Sequence, residues 1–334
     1  QKTAYEISLG LVGSEMCIRD RICLISGGAS ALMPLPSEKI ALNDKIRMTE
    51  LLLKCGATID EVNIVRKHIS DIKGGKLARY AYPATIVSLI LSDVVGDPID
   101  TIASGPTAPD RSTFKDAISV LKKYSLWKKT PESIRRHLLR GLEGEIEENP
   151  KPGDALFSRV FNFVIGNNMT AVKAAKDKAE NMELKSVILS TMIEGEARHV
   201  GIILASIAKE VRRTGNPIKA PAVILGGGET TVTVKGSGIG GRNQEVALSA
   251  ALKIKDMKGV VIASVGTDGL DGPTDAAGAI VDGTTAIKAL GRGIDPIEFL
   301  ENNDSYRFFK KVGGHIITGP TGTNVNDIFV ITII

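Results

Sequence analysis

Residues 22–32 read ICLISGGASAL, an apolar run that ends at two glycines and continues into a polar, helix-like stretch. The pattern predicts a strand over Ile22–Ser26, a tight turn, and then a helix. Short apolar runs and amphipathic stretches alternate in the same way to the end of the chain, which is typical of α/β proteins. Most runs are continuous Val, Ile and Leu segments, so we expect parallel strands covered on both faces. The other predicted strands are Thr85–Leu91, Val160–Ile165, Ser186–Leu189, Ala222–Leu225, Thr230–Val234, Val260–Val265 and Ile328–Ile333.

Two helices between these strands are readable from their apolar stripes. The apolar residues of positions 48–55 recur at helical spacing, with Asn43 as the expected N-cap and Gly56 at the end. A second stripe runs from Val200 to Val211. We expect both stripes to face the core and assign them no function.

Composition and charge limit the class of partner. The 334 residues carry 42 Lys and Arg against 38 Asp and Glu, a net charge of +4 with no polybasic tract. This balance suits a protein that binds small anionic ligands better than one that binds nucleic acid, and 4% aromatic residues argue against base-stacking platforms. No apolar run is long enough for a membrane span, and the three cysteines form no metal or disulfide pattern. We expect a cytoplasmic protein with reduced thiols and no membrane partner.

Two breaks and a poorly patterned start divide the sequence. Glu143–Asp154 is charged and rich in Pro and Gly, which predicts a surface loop. Arg213–Pro221 is a second break, beyond which glycine density rises, and it is the better candidate for a domain boundary. Residues 1–21 begin with Gln1 and fit neither a strand nor a helix pattern. We therefore treat them as a disordered or artefactual leader.

Glycine is the strongest local signal, with 35 residues clustered at strand ends. Gly27 and Gly28 follow the first strand, where consecutive N–H groups can cradle an anion. A tight turn at the strand exit explains them equally well.

Residues 236–241 (GSGIGG) match the spacing GxGxxG. A dinucleotide fold also needs an acidic residue at the end of the next strand, and Asp256 lies before that strand. Arg242 directly follows the glycines and opens a predicted helix. An Arg in this position can bind phosphate oxygens through two donors, although a solvated Arg is the plainer alternative.

Carboxylates gather after two predicted strands. Asp268, Asp271 and Asp275 lie within VGTDGLDGPTDAAG (265–278), a segment too rich in glycine for a regular helix. Asp93 follows the strand that ends at Leu91. Carboxylates at such positions can bind Mg²⁺ or accept a hydroxyl proton, whereas Asx turns are the structural alternative.

Cations and small polar residues provide the remaining candidates. In NIVRKHISDIKGGKLA (63–78), Lys73 precedes a glycine pair as a phosphate-binding Lys would, although such a charged run is usually a solvated helical face. Thr323, Asn324 and Asp327 stand just before the last strand. The sequence contains no P-loop, protein-kinase, HExxH or GxSxG motif, which excludes those enzyme classes.

Together these segments resemble one family, the class II glycerate 2-kinases, which phosphorylate glycerate with ATP. The resemblance implies a Rossmann-like parallel-sheet domain over 22–217, a smaller MOFRL-type α/β domain over 218–334, and a site in the cleft between them. It extends from Ile22 to the end of the chain and is carried by SGGASAL (26–32), NIVRKHISDIKGGKLA (63–78), SDVVGDPIDTIASGPTAPD (92–110), GGGETTVTVKGSGIGGRNQE (226–245), GTDGLDGPTDAAGAIVDG (266–283) and TGTNVND (321–327).

The resemblance also implies roles for individual residues. Arg242 would stabilise the transferred phosphoryl group, and Asp93 or Asp268 would hold Mg²⁺ or accept the hydroxyl proton. ATP, Mg²⁺ and glycerate are the implied cofactors and substrate. The residues expected to bind substrate or nucleotide are Ser26, Gly27, Gly28, Ser30, Lys67, Lys73, Glu229, Asn243, Thr267, Asp271, Asp275, Thr323 and Asn324.

The sequence departs from the family pattern in one respect, and two other functions remain open. Family members begin with a longer segment whose Gly-Lys motif contributes a lysine thought to act in catalysis, and Gln1–Arg21 stands in its place here. We therefore expect little turnover from residues 1–334 alone. An NAD(P)H-dependent hydroxypyruvate reductase and a non-catalytic protein that binds phosphate or a sugar acid are the alternatives, and a homodimer is an open question.

Overall fold

A computed structural model describes residues 20–334, which form two compact units. The first unit contains residues 20–91 and 97–165, and the second contains residues 92–96 and 166–334. Most of the predicted leader, residues 1–19, lies outside the described residues. None of the helices within residues 20–334 is both long and apolar enough to cross a membrane.

The first unit combines a three-stranded sheet with a helical core. Strand β1 pairs in parallel with β2, with Arg21 opposite Ile86 and Ile25 opposite Ile90, and β3 lies on the other side of β2. The helices enclose Met48, Leu52, Phe114 and other buried apolar residues. The elements are β1 (Arg21–Ile25), α1 (Ala29–Leu32), α2 (Leu42–Lys54), α3 (Ile59–His68), α4 (Lys76–Ala81), β2 (Ile86–Leu91), α5 (Phe114–Lys123), α6 (Glu132–Leu142) and β3 (Val160–Gly166), with short 3₁₀ turns at Ile102–Ser104, Trp127–Lys129 and Ala155–Arg159.

Two sequence expectations need correction in this unit. One face of the sheet is exposed, since Leu24 is 78% and Phe163 52% exposed, so these strands are not covered on both faces within residues 20–334. Asn43 lies inside α2, whose N-cap is Ala41. The strand and helix positions themselves agree with the prediction.

The second unit is built on a six-stranded mixed sheet in the order β4-β5-β9-β6-β7-β8. Strand β4 pairs with β5 in parallel, and all the other neighbouring strands are antiparallel. The elements are β4 (Lys185–Glu196), β5 (Ala222–Thr231), β6 (Val260–Gly266), β7 (Gly278–Asp282), β8 (His315–Ile316) and β9 (Asp327–Ile333), with helices α7 (Asn168–Asn181), α8 (Ala197–Thr214), α9 (Arg242–Lys253), α10 (Thr285–Leu290), α11 (Pro296–Glu301) and α12 (Ser305–Val312).

Helices cover both faces of this second sheet. On one face, α8 and α9 pack on Ile224, Ile262 and Ile331 around the largest apolar core. On the other face, Val172 and Ala179 of α7 pack against Val223 and Leu225. The α/β prediction is therefore confirmed, with the correction that this sheet is mixed rather than parallel.

Strand β5 runs without interruption through three glycines where the sequence predicted two separate strands. Gly226–Gly228 pair with residues 327–329 of β9. A Cβ on Gly227 would lie 1.9 Å from Asn168 Oδ1, and one on Gly228 would lie 2.0 Å from the Ile193 carbonyl oxygen. These glycines therefore allow close packing inside a strand, and the separate strand predicted at Thr230–Val234 does not form.

The predicted boundary at 217/218 lies inside the second unit. Strand β4 precedes it and β5 follows it, and the two strands pair with each other over most of their length. The division by spatial contact falls at residues 165/166 instead.

Candidate active site

Arg242 is the first residue of α9 and is held by two carboxylates from neighbouring strands. Its Nη1 donates to Glu229 Oε1 on β5 at 2.6 Å. Its Nη2 donates to Asp327 Oδ1 at 3.0 Å, and its Nε lies 2.8 Å from Asp327 Oδ2. Asp327 starts β9 and pairs with Gly228, which precedes Glu229, so the sheet register places both acids beside the guanidinium. The geometry orients a planar cation through three of its nitrogen atoms.

Asp327 is completely buried, and the sequence marked it as a candidate before the last strand without a role of its own. Burial raises the pKa of its carboxyl to about 6, although Arg242 and Asn243 act in the opposite direction. For Arg242, the two carboxylates outweigh burial and raise the guanidinium pKa further. The only sequence signal for Asp327 was its place at the start of the last strand.

Asp271 fixes the start of the helix that carries Arg242. Its two oxygens accept the backbone N–H groups of Asn243 and Gln244 at 3.0 and 2.9 Å and also the side-chain amide of Gln244. Burial raises the pKa of the Asp271 carboxyl despite these donors. Both carboxylate oxygens of Asp271 are occupied by donors of the protein itself. Asp271 therefore positions the start of α9.

The glycine-rich loop before α9 is anchored by side chains and does not form a dinucleotide-binding turn. Asn303 Oδ1 accepts the N–H groups of Lys235 and Gly236, and Asp304 Oδ1 accepts that of Ile239. A Cβ on Gly236 would lie 2.3 Å from the Asn302 carbonyl oxygen. Asn302 accepts the N–H groups of Ser237 and Gly238, so all the amides of residues 235–239 are occupied. The amides of Gly240 and Gly241 donate to no acceptor within residues 20–334.

A cavity of about 920 Å³ in the second unit brings several predicted residues together. Arg242, Glu229, Asp268, Asp271 and Asn324 all line it, as do the glycines at 240 and 241. Asp268 Oδ1 accepts the N–H of Leu270 at 3.0 Å, and the other carboxylate oxygen has no partner within the described chain. Carboxylates outnumber cations among these side chains, which suits a cation or a cation-bound anion.

Other predicted residues of this unit lie outside the cavity lining. Asn243 is buried behind it, donating to Asp327 Oδ1 and accepting from Ser264 Oγ. Thr267 Oγ1 accepts the N–H of Val325 and so joins two loops. Asp275 is exposed and accepts the Tyr306 hydroxyl. Thr323 is exposed, and Asp93 is half-buried after β2 and belongs to the second unit, but neither lines the cavity.

The predicted residues of the first unit form a separate set of contacts. Ser26, Gly27 and Gly28 make the turn into α1, with Gly28 in the left-handed region at φ +79. Lys67 lies 3.5 Å from both Asp100 and Asp110. Burial alone would raise the pKa of Asp110, but Lys67 and Asn149 hold it below its usual value. Lys67 is therefore engaged in a largely buried ion pair.

Lys73 and Ser30 flank a strained turn in the same unit. Lys73 is 1% exposed and donates to the Ala103 carbonyl oxygen at 3.1 Å. Ser30 Oγ lies 3.3 Å from Ser104 Oγ. Ala103 and Ser104 both adopt positive φ, at 55 and 61. Left-handed non-glycine residues of this kind cost of order 1 kcal/mol each and are concentrated at functional sites.

No cluster of three or more His, Cys, Asp or Glu side chains is placed to hold a metal within residues 20–334. The carboxylates near Arg242 line the cavity as separate side chains and do not form such a cluster. One or two carboxylates are the usual protein contribution to a Mg²⁺ site that is completed by phosphate and water. Asp268 and Glu229 fit that donor set.

Comparison with known sequence families matches most of the chain in two parts. Residues 16–139 match a domain of unknown function, DUF4147, and residues 222–327 match the MOFRL family. The second match starts at the first residue of β5 and ends at Asp327.

Three individual proteins are similar over more than nine-tenths of the chain. A glycerate 2-kinase from Pyrococcus horikoshii is 51% identical, over 92% of this chain and 69% of that protein. A protein from Agrobacterium vitis named as a putative hydroxypyruvate reductase is 45% identical, over 93% of this chain and 69% of its own length. The crystal structure of glycerate kinase from Thermotoga maritima superposes with a TM-score of 0.86 at 48% identity, covering 94% of this chain and 73% of that one.

Proposed function

Because this chain belongs to the glycerate 2-kinase family, we propose that it transfers the γ-phosphoryl group of ATP to the 2-hydroxyl group of D-glycerate. The observation that carries the proposal is the position of Arg242, fixed by Glu229 and Asp327 at the wall of a cavity large enough for a nucleotide phosphate and a small acid. The identity to a glycerate 2-kinase supports the choice of substrate.

Arg242 is the residue that stabilises negative charge in this proposal. In phosphoryl transfer the charge spreads over the equatorial oxygens, and catalysis depends on positioning and electrostatics. A guanidinium held by two carboxylates needs little reorganisation during the reaction, which is the property that makes fixed charges effective. The N–H groups of Gly240 and Gly241 provide two further donors at the same wall.

Asp268 is the proposed proton acceptor or metal ligand. Its unpartnered oxygen and its place in the cavity lining allow it to accept a proton from the substrate hydroxyl. Asp93 remains the alternative for either role. When bound, Mg²⁺ would neutralise charge on the nucleotide phosphates, and Asp268 and Glu229 would contribute its protein ligands.

The hydroxypyruvate reductase alternative finds less support in the chain. A dinucleotide fingerprint needs free amides at the glycine turn and an acid at the end of the following strand. Asn302, Asn303 and Asp304 occupy most of the loop amides, and Asp256 lies in a turn before β6 at φ +66. Phosphoryl transfer is therefore the better-supported reaction.

The test is phosphorus NMR of the product formed from ATP and D-glycerate, with nucleotide binding measured by calorimetry on the same protein. We expect a 2-phosphoglycerate resonance and ADP, formed slowly by residues 1–334 alone and faster by a chain completed with the segment that carries the family's Gly-Lys motif. NADH oxidation with hydroxypyruvate would favour the reductase. The absence of both turnover and ATP binding would overturn the kinase proposal.

A further inference from the structure

Three side chains from different elements form a continuous set of hydrogen bonds that ends at the glycine-rich loop. Arg198, the second residue of α8, donates through Nε to Glu245 Oε1 on α9 at 3.0 Å, and its Nη2 lies 2.8 Å from the same oxygen. The other oxygen, Glu245 Oε2, accepts the side-chain N–H of Asn303 at 3.0 Å. Glu245 is 1% and Asn303 6% exposed, so these bonds form in an interior that strengthens them.

Asn303 also binds the backbone of the loop. Its Oδ1 accepts the N–H groups of Lys235 and Gly236 at 2.8 and 3.1 Å. The chain then leads to Gly240 and Gly241, which line the cavity and whose amides have no acceptor within residues 20–334. Asn303 therefore fixes the segment that leads to these two amides.

We propose that Glu245 and Asn303 are positioning residues for nucleotide binding. They hold the loop in the conformation in which the amides of Gly240 and Gly241 donate to the phosphates of ATP, and Arg198 fixes the Glu245 carboxylate in turn. N–H groups at the start of a helix suit an anion, because their partial charges and the helix dipole favour negative charge. The inference rests on the proposed function for the identity of the ligand, whereas the positioning of the loop is measurable without any ligand.

The direction of each hydrogen bond explains why this combination of side chains is needed. Arg198 can only donate and a carboxylate can only accept, so Glu245 presents an acceptor to Asn303. The Asn303 amide must therefore turn its NH₂ group towards Glu245 and its carbonyl oxygen towards the loop. The opposite orientation would place donor against donor at the loop N–H groups. Glu245 thereby determines which group Asn303 presents to the loop.

Two single substitutions and their combination test this directionality. In Glu245→Gln, the introduced carbonyl oxygen faces Arg198 and the introduced NH₂ group opposes that of Asn303. In Asn303→Asp, a new carboxylate oxygen opposes Glu245 Oε2. The double variant, Glu245→Gln with Asn303→Asp, again pairs a donor with an acceptor at every position. Aspartate suits the backbone of residue 303, since its φ of +54 is one that Asn and Asp tolerate better than most other residues.

Hydrogen–deuterium exchange over residues 233–241 measures the positioning directly. We expect the amides of Lys235 and Gly236 to exchange at least tenfold faster in each single variant and within threefold of the wild-type rate in the double variant. Glu301→Gln is the matched control, because Glu301 is exposed and lies two residues before Asn303, and it should leave these rates unchanged. Slow exchange in the buried strand β9 checks that each variant is folded.

Calorimetry with ATP and Mg²⁺ separates positioning from a plain effect of charge. Glu245→Gln removes a negative charge from the cavity wall, which by itself would favour an anion. Positioning predicts the opposite result, at least tenfold weaker ATP binding in each single variant. The double variant has the wild-type net charge and should bind ATP within threefold of wild type. Binding of D-glycerate should stay within twofold in all variants, because the loop amides are assigned to the nucleotide.

Several outcomes would contradict the inference. Unchanged or tighter ATP binding in Glu245→Gln would overturn it, as would a double variant that is no better than the single ones or unchanged exchange in both single variants. Weaker binding of D-glycerate with unchanged binding of ATP would overturn the assignment of the loop to the nucleotide. A wild-type chain that binds no ATP would contradict the proposed function, and the exchange rates would then decide on the positioning alone.

Discussion

The guanidinium charge of Arg242 is paired with two carboxylates, so the contribution of Arg242 to a reaction depends on its fixed position. We expect Arg242→Gln to lower kcat by about 10²–10³, the range found when one donor to a developing charge is removed. Arg242→Lys should recover little of this, because a lysine cannot reproduce the planar contacts to Glu229 and Asp327.

Steady-state kinetics with ATP and D-glycerate measure this effect, with Arg213→Gln as the control. Arg213 is 77% exposed and, among the described residues 20–334, forms an ion pair only with Glu210. Turnover of Arg242→Gln within threefold of wild type would contradict the assigned role.

Lys45 makes the stability of the fold depend on pH. Its pKa falls from 10.5 in water to about 7 in the fold, so between these values the unfolded chain binds the proton and the folded chain does not. Stability should therefore rise from pH 7 towards pH 10, and Lys73 and Lys76 act in the same direction. Melting temperatures at pH 7 and pH 9 measure the slope, which should decrease in Lys45→Met and not in Lys54→Met. An unchanged slope in Lys45→Met would show that Lys45 is not a buried cation.

At the scale of single elements, helix α9 depends on an acid that is distant in sequence. Asp271→Ala would leave the buried N–H groups of Asn243 and Gln244 without an acceptor. We expect a loss of about 2–4 kcal/mol in the free energy of unfolding, since these are several hydrogen bonds to one charged group. Kinase activity should fall as well, because Arg242 is the first residue of this helix.

Asp275→Ala is the matched control for Asp271, four residues further along the same segment. Asp275 is exposed and, in the part of the chain that the structure describes, its side chain accepts only the Tyr306 hydroxyl, so its loss should cost at most about 0.5 kcal/mol. Urea denaturation compares the two variants. Equal destabilisation would contradict a specific role of Asp271 at the start of α9.

The elements most visible in the sequence were those with continuous apolar runs. Strands such as β2 and β9 were predicted within a residue or two because each is an almost continuous apolar run, with only Ser88 or Thr332 as a polar residue in its interior. The short β7 and β8 were missed, since β7 begins with glycine and ends with Asp and β8 has only two residues. Strand β5 was predicted as two separate strands, interrupted at Gly226–Gly228. Glycine is needed there because Asn168 and Ile193 pack closely against the strand, and the local sequence does not show these neighbours.

The candidate site was only partly predictable for a related reason. Arg242 and Asp268 were identifiable from local motifs, and they do line one cavity. The partners of the glycine loop are more than 60 residues away, at Asn302–Asp304, and no local pattern indicates such a pairing. Asp327 was named without a role and Lys45 was missed, because the function of each depends on burial and on which charges surround it in the fold.

For the whole molecule, the charge of the ligand should decide whether binding stabilises the fold. The chain has a net charge of +4, yet the cavity around Arg242 is lined by Glu229, Glu245, Asp268 and Asp271. Free ATP would meet local repulsion there, whereas the Mg²⁺ complex would bring a cation to these carboxylates. We therefore expect metal to control the thermal shift produced by the nucleotide.

A ligand that binds only the folded state at 100 times its Kd stabilises it by about 2.7 kcal/mol, which raises the melting temperature by a few degrees. Melting curves with ATP plus Mg²⁺ should show this increase, and ATP plus a chelator should show a much smaller one. Asp268→Asn should reduce the difference between the two conditions, because it removes a carboxylate that favours the metal. Equal shifts with and without Mg²⁺ in the wild-type chain would mean that Arg242 and the amides of Gly240 and Gly241 bind the phosphates without help from a metal.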